Sequence, residues 1–345
     1  MTITNFPNGV SSFGVPVIPG ALPFTGNTFF VNPVSGADGN SGSDPTQPLK
    51  TLYAAHRKMT AGNNDVCYLI GNGGTTGTAR LSTALAAADA ILGGTTATVG
   101  TLVWSKNACH LIGIAAPSSA TRARISNTTT ETITTFASGN LVSVTAQGCY
   151  FANFSVFQGF ATGGASEIAW TDSGGRNSYN GVEFFGGGDT ESATTNVATM
   201  RSLLISGSTG ENRFNNCVIG LDTLARSTGS FEFEISGGSP RNVFTDCVIA
   251  TNAGAAGCTW MKIGADGIDR YVAFRNCIFT NPTLGGVGAT AMTTGFSVNA
   301  ASGGGVLLMN CMQFGATKTD TGNLNTLVNT ANAASLGGAA IATSA

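Results

Sequence analysis

Charge is scarce in this chain. Of 345 residues, 16 are Lys or Arg and 18 are Asp or Glu, so 10% are charged, against roughly 25% in an ordinary soluble domain. A net charge of -2, with no cluster of Lys or Arg, argues against a nucleic-acid or anionic-membrane partner. Long apolar runs are missing too: nothing approaches the ~20 residues of a membrane span, and Leu81 to Leu92 is broken by Ser, Thr and Asp. No Lys or Arg precedes Lys50 and the opening has no continuous apolar core, so no secretory signal is expected. The eight cysteines are too sparse for a small disulfide scaffold and show no Cys-x-x-Cys spacing, so no zinc site is expected. Gly-x-Ser-x-Gly, Walker-type and His-Glu-x-x-His motifs are absent. What the chain has in excess is glycine, 48 residues, with Thr, Ser, Asn and Ala. With 42% hydrophobic residues it has enough apolar surface for a core, and the composition is that of an all-β protein rich in turns.

The placement of the cysteines carries more information than their number. Phe214-Asn-Asn-Cys217-Val-Ile219, Phe244-Thr-Asp-Cys247-Val-Ile249, Phe274-Arg-Asn-Cys277-Ile-Phe279 and Leu308-Met-Asn-Cys311-Met-Gln313 share one frame, with successive cysteines 30, 30 and 34 residues apart. Looser copies are Cys67-Tyr-Leu69, Cys109-His-Leu111 and Cys149-Tyr-Phe151, and Tyr179-Asn-Gly-Val182 has Val in the Cys place. A β repeat of this length cannot bury its own apolar face and must stack on its neighbours. Cys and the apolar residue two along share one side of a strand. The Phe three before Cys has the opposite parity, so the chain must turn a corner at the Asn or Asp between them. A strand, a corner and a strand per ~30 residues describe one coil of a single-stranded parallel β-helix, a solenoid, in which side chains 67, 109, 149, 182, 217, 247, 277 and 311 pile along one axis. Only Cys258 stands outside the frame. The cysteines would form a reduced interior ladder. The competing disulfide framework is disfavoured because stacked neighbours pair only with strained geometry.

The domain organisation expected is an extended docking arm over 1–27, a β-helix over 28–315 with a capping helix at about 48–59, and a tail or exchanged arm over 316–345. Leu49, Leu52, Tyr53 and His56 lie at helical spacing, and a helix suits the open end of a solenoid. Asp38, Asn40 and Asp44 could suggest a calcium loop, but the closing Glu of such a loop is missing, so Asx turns are expected.

Glycoside hydrolysis needs paired carboxylates ~5 to 10 Å apart. Glu232 and Glu234 alternate along one strand, with Asp222, Arg226 and Arg241 near in sequence, and read best as an exposed, solubilising strand face. Asp266, Asp269 and Arg270, like Asp189 and Glu191, read as solvated loops. His56 belongs to the helix. His110 and Cys109 would point to opposite faces of a strand, unsuited to a catalytic pair. Trp104, Trp170 and Trp260 are isolated and read as core or interface. Arg176-Asn177 and Arg241-Asn242 recur before a coil and read as corner and intersubunit hydrogen-bonding residues, not as anion sites. No catalytic, cofactor-binding or metal-ligating residue is assigned, and no cofactor.

The stretch Phe30-Val-Asn-Pro…Gly36-Ala-Asp-Gly-Asn-Ser-Gly…Pro45-Thr-Gln-Pro48-Leu-Lys-Thr-Leu resembles the opening of right-handed β-helices of the pectate-lyase-like group, and Arg275-Asn-Cys277-Ile-Phe279 resembles their coils. Met1-Thr-Ile-Thr-Asn-Phe-Pro-Asn-Gly-Val10, Trp104-Ser-Lys-Asn-Ala-Cys-His-Leu-Ile-Gly-Ile-Ala-Ala-Pro117 and Gly210-Glu-Asn-Arg-Phe214…Gly220-Leu-Asp-Thr223 resemble tailed-phage virion proteins encoded among head genes. That resemblance implies a homotrimer. The expectation is therefore a non-enzymatic virion structural protein, a capsid decoration or cement protein. It would dock on the phage major capsid protein through its N-terminal arm, at the capsid surface. The alternative is a tailspike-like depolymerase or a receptor-binding fibre acting on host polysaccharide.

Overall fold

The computed structural model describes residues 11–12, 15–16, 24–71, 79–80, 101–126, 140–157, 168–187, 200–226, 229–264, 266–282, 290–299, 302–320 and 326–329. Most of the expected arm over 1–27, the pair Asp189 and Glu191, and residues 330–345 lie outside them. The chain is an all-β parallel solenoid with three long sheets of ten, eight and eight strands. One coil shows the plan. Tyr150–Ala152 belongs to the ten-stranded sheet (sheet 1), Ser155–Phe157 to sheet 2 and Ile168–Asp172 to sheet 3, before Ser178–Asn180 returns to sheet 1 beside Tyr150–Ala152. Among the described residues no helix is long and apolar enough to cross a membrane.

The corner between sheets 1 and 2 behaves as the frame requires. Asn153, Asn216, Asp246, Asn276 and Asn310 have φ of 55, 51, 54, 53 and 52°, and Gly181 takes the place at 60°. Only Gly, or Asn and Asp with their short polar side chains, adopt this left-handed region readily. The corner lets both Phe214 and Cys217 face inward despite their opposite parity; each is fully or almost fully buried.

Inside, one column dominates. Phe29, Cys67, Leu111, Phe151, Tyr179, Phe214, Phe244, Phe274 and Leu308 are paired in register from coil to coil. Ring centroids are 4.5 Å apart for Tyr179 and Phe214, 4.4 Å for Phe214 and Phe244, and 4.7 Å for Phe244 and Phe274. These distances match the ~4.8 Å spacing of strands, so the coil repeat itself sets the stack. Trp170 and Phe233 close against it edge-on, the other favoured aromatic geometry.

The single cysteine axis is corrected by this register. Val182, Cys217, Cys247, Cys277 and Cys311 do form one ladder just past the corner. Its thiols donate across coils, from Cys247 to Phe214 O at 3.5 Å and from Cys277 to Phe244 O at 3.6 Å. Cys67 instead occupies the aromatic column, paired with Phe29 and Leu111. Cys109 and Cys149, two residues ahead of Leu111 and Phe151, stand level with Asn177, Asn212 and Asn242 of later coils. A Cys two before an apolar residue and a Cys three after one look alike in sequence but flank the strand on opposite sides. All eight cysteines are free, and burial pushes the Cys149 thiol up to about 12.

The helix is shorter than the expected 48–59. It spans Leu52–Lys58, because Leu49 bridges Val31 in an extended conformation and Thr51 acts as N-cap, its hydroxyl accepting from Ala54 N at 3.1 Å. Lys106 Nζ donates to the carbonyls of His56, Arg57 and Met59 at 2.7, 2.9 and 2.6 Å, satisfying acceptors that a helix C-terminus leaves open. At the other end pairing runs past residue 315. Ala316–Asp320 adds to sheet 3 and Thr326–Asn329 to sheet 1.

The corner generates a test. Asn276→Val should cost about 1–2 kcal/mol, the penalty of a Cβ-branched residue in the left-handed region, while Asn276→Gly should lie close to wild type. Equilibrium urea unfolding of the two variants would measure this, and equal stabilities would contradict the account.

Candidate functional site

A second corner, leading into sheet 1, builds a charged cleft. Asn177, Asn212 and Asn242 lie buried at the start of successive coils. Asn177 Oδ1 accepts from Cys149 N at 2.9 Å, Asn212 Oδ1 from Asn177 N at 2.9 Å, and Asn242 Oδ1 from Asn212 N at 3.1 Å. Each interior amide thus answers a backbone N–H of the preceding coil, and this fixes the chain's path. The residue just before each Asn is turned outward with positive φ: Arg176 at 57°, Glu211 at 60° and Arg241 at 52°. Three charged side chains are thereby stacked one per coil.

They are wired together. Glu211 Oε2 accepts from Arg176 Nε at 2.8 Å, and Oε1 accepts from Arg241 Nη2. The hydrogen bonds from Arg241 and then Arg176 hold the Glu211 carboxyl down at about 2, and the Glu211 carboxylate in turn raises Arg241. One strand position further, Arg213 stands in register between Ser178 and Val243. It is exposed, and its guanidinium has no carboxylate partner among the described residues. These groups, with Tyr271, line a cleft of ≈ 380 Å³. Three guanidinium groups (Arg176, Arg213, Arg241) face one carboxylate (Glu211), so the cleft carries a net charge of two positive, 3 - 1.

The residues weighed from the sequence fall elsewhere. Glu232 is not on an open face; it is fully buried against Arg226, also fully buried, at 2.8 Å. It further accepts from Ser202 Oγ at 2.7 Å and Thr251 Oγ1 at 3.0 Å. Arg226 donates to the carbonyls of Gly187 and Gly186 at 2.7 and 2.8 Å. The cause is a short excursion in which Ala225–Arg226 pairs with Asn252–Ala253 and lays the arginine over the strand. Glu234 pairs with Arg201 at 2.6 Å, and that guanidinium lies 3.4 Å above the Phe231 ring. Neither glutamate is free for hydrolytic chemistry. Asp222, Asp266, Asp269 and Arg270 are exposed, with Asp269 and Arg270 3.5 Å apart. All three tryptophans are buried in the core.

Asp44 forms an Asx turn to Thr46 N at 2.7 Å, whereas Asp38 accepts from Lys50 N and Thr51 N at 2.9 and 2.8 Å and anchors the start of the helix. Among the described residues no group of three or more His, Cys, Asp or Glu could hold a metal ion. Both histidines act as acceptors: His56 Nε2 takes Ser105 N at 3.2 Å and His110 Nδ1 takes Tyr150 N at 3.0 Å. Burial pushes both down to about 4, assisted at His56 by Lys106 and opposed at His110 by Asp65.

Glu211, Arg213 and Tyr271 were missed in the sequence. The signal was present in Arg176-Asn177, Glu211-Asn212 and Arg241-Asn242, a charged residue before Asn at one coil's spacing. The middle copy is disguised in the sequence because its charge has the opposite sign.

No family model and no curated protein matches the sequence. Solved structures do match. The crystal structure of pectate lyase Pel9A aligns over 88% of this chain and 74% of its own, with a TM-score of 0.53 at 13% identity. A rhamnogalacturonan lyase aligns over 88% and 73%, with a TM-score of 0.51 at 15% identity. At such identities the likeness establishes the fold, a parallel solenoid of the pectate-lyase-like kind. It also corrects the expectation of a non-enzymatic decoration protein on the capsid: both of these structures are of lyases, and the fold they share with this chain is one that polysaccharide-acting enzymes use.

Two tests follow. Arg226→Met should destabilise by roughly 3–5 kcal/mol, because it strands a buried carboxylate, while Arg226→Met combined with Glu232→Leu should recover much of the loss in thermal melts. Unfolded histidines take up protons below about 6.5, and these two do so near 4 when folded. Stability is therefore complete above that upper value and should fall as pH drops toward the lower one. A flat melting temperature between pH 7 and 4.5 would contradict the burial assigned to them.

Proposed function

We propose that the chain is a polysaccharide depolymerase acting on an acidic glycan held in the cleft on sheet 1. The observation that carries this is the cleft's charge: three guanidinium groups to one carboxylate, in a chain with little charge of any kind. A guanidinium fork binds a carboxylate bidentately, and Arg213 is the one cleft arginine not already engaged by Glu211. Glu211 is a positioning residue that holds Arg176 and Arg241 on either side of it. Neutralising a uronate carboxylate stabilises the negative charge that develops as the neighbouring C–H proton passes to water. The glycosidic C–O bond then breaks to leave a C=C bond on one fragment while the departing oxygen takes a proton from water, so eliminative cleavage fits. Hydrolysis with two carboxylates fits less well, since the cleft holds one, kept ionised. The lyase structures that share the fold support the same reaction class.

The phrases resembling tailed-phage virion proteins support placing this activity on a phage particle, as a tailspike-like homotrimer. In that arrangement the solenoid is right-handed, the helix Leu52–Lys58 closes its first coil, and the N-terminal arm attaches it to the particle.

Incubation with a panel of acidic polysaccharides should release fragments with unsaturated ends, seen by ultraviolet absorbance, and Arg213→Ala should slow this roughly a hundredfold or more. Reducing ends without unsaturation would overturn elimination, and binding without any cleavage would overturn the enzymatic reading.

A further inference from the structure

One side chain of sheet 3 breaks the pattern of its column. Position 172 pairs in register with Val144 on one side and Ile205 on the other, and Ile235 and Ile263 continue the row. These four are buried apolar residues, and Asp172, with no exposed surface, stands among them. Sheet 1 carries a matching exception in the same coil: Tyr179 brings a hydroxyl into the column of Phe151, Phe214 and Phe244. The two exceptions meet. Asp172 Oδ2 accepts from Tyr179 OH at 2.6 Å and from Asn177 Nδ2 at 3.0 Å, and Oδ1 accepts from Gly175 N at 2.9 Å.

The titratable groups facing this carboxyl are Tyr179 and the Cys149 thiol, and among the described residues it has no cationic partner. Burial raises it above the ordinary carboxylate value, opposed by the hydrogen bonds it accepts. A carboxyl shifted that way adds stability below its unfolded value and loses that contribution as pH rises through the folded one. At neutral pH the buried charge is therefore a cost to the fold, and stability does not explain it.

Neighbouring corners show what it accompanies. Cys109, Cys149 and Asn177 follow Trp104, Val144 and Asp172 by five residues each, and those three starting positions are in register. In each turn the residue before the last has positive φ: Ala108 at 50°, Gly148 at 68° and Arg176 at 57°. Two of the turns close with Trp104 or Val144 at the inner place. The carboxylate occurs in the turn whose left-handed residue is a cleft arginine. It holds both neighbours of that arginine, Gly175 before it and Asn177 after it. A side chain in the left-handed region persists only where its surroundings over-determine the backbone.

We propose that Asp172 is a positioning residue for the cleft, clamping the turn on both sides of Arg176 so that its guanidinium is held at Glu211 and toward a bound anion. The proposal rests on the cleft's being an anion site.

Asp172→Val combined with Tyr179→Phe rebuilds the interior of the preceding coil, which has Val144 and Phe151 at those places. Removing both partners of a buried hydrogen bond together is close to neutral for stability, so this double variant should melt at or above the wild-type temperature at neutral pH. If it melts well below, Asp172→Asn takes its place. Titration calorimetry of the full chain would use dextran sulfate, whose sulfate esters stay ionised. Affinity should fall about tenfold in the double variant, the worth of one charge-assisted hydrogen bond. In an Arg176→Ala background the same pair of changes should cause no further loss, because residues acting through one another do not add. Acidification toward the ordinary carboxylate range should weaken binding more in the wild type than in the double variant. Glu211, held at about 2, stays ionised there, and both proteins keep the two histidines. Additive losses, or unchanged affinity in the double variant while Arg213→Ala binds weakly, would overturn the positioning role and leave the cleft standing. A wild-type chain that binds no dextran sulfate would remove the cleft reading, and this proposal with it.

Discussion

In this solenoid the backbone groups of each coil are answered by the coils on either side, and everything else follows from that constraint. Parallel pairing leaves no freedom of register: a residue repeated once per coil stands one strand spacing from its copies, inside or outside. Apolar copies become the Phe and Tyr stack, Asn copies become the interior amide ladder, and charged copies become the Arg176, Glu211, Arg241 clamp. The core and the cleft are two sides of one periodicity.

The ladder and the clamp share one corner. Asn177, Asn212 and Asn242 bury their amides to satisfy neighbouring N–H groups, and the residue before each is left-handed, as Ala108 and Gly148 are at the same place in earlier coils. Charged side chains are unusual in that conformation. Their mutual hydrogen bonds keep the row from splaying, and Arg213, one position on, is left with its guanidinium uncommitted.

Much of the fold was legible because its most demanding feature, the left-handed corner, restricts residue choice. Asn216, Asp246, Asn276 and Asn310 announce it, and the Phe or Leu two places earlier marks the strand before it. What failed was fine register and cover. Cys67, Cys109 and Cys149 are small and buried like the ladder cysteines, so composition could not say which side of the strand they flank. Glu232 has the parity of a surface residue and is sealed by Arg226 from a loop excursion, which strand alternation alone does not foresee. The cleft was half visible, as two Arg-Asn pairs whose acidic partner went unread. The functional expectation failed for a different reason: the charged groups of the cleft are spread from Arg176 to Arg241 in sequence, and only the coil repeat gathers them.

The amide ladder has an evolutionary corollary. Because each rung depends only on the rungs beside it, a unit of this kind could be duplicated between Asn212 and Asn242 with its neighbours undisturbed, adding one more position to the outward row. Length of the surface then becomes a countable trait, set by copy number as on a ruler, and can diverge among descendants while the scaffold that supports it stays the same.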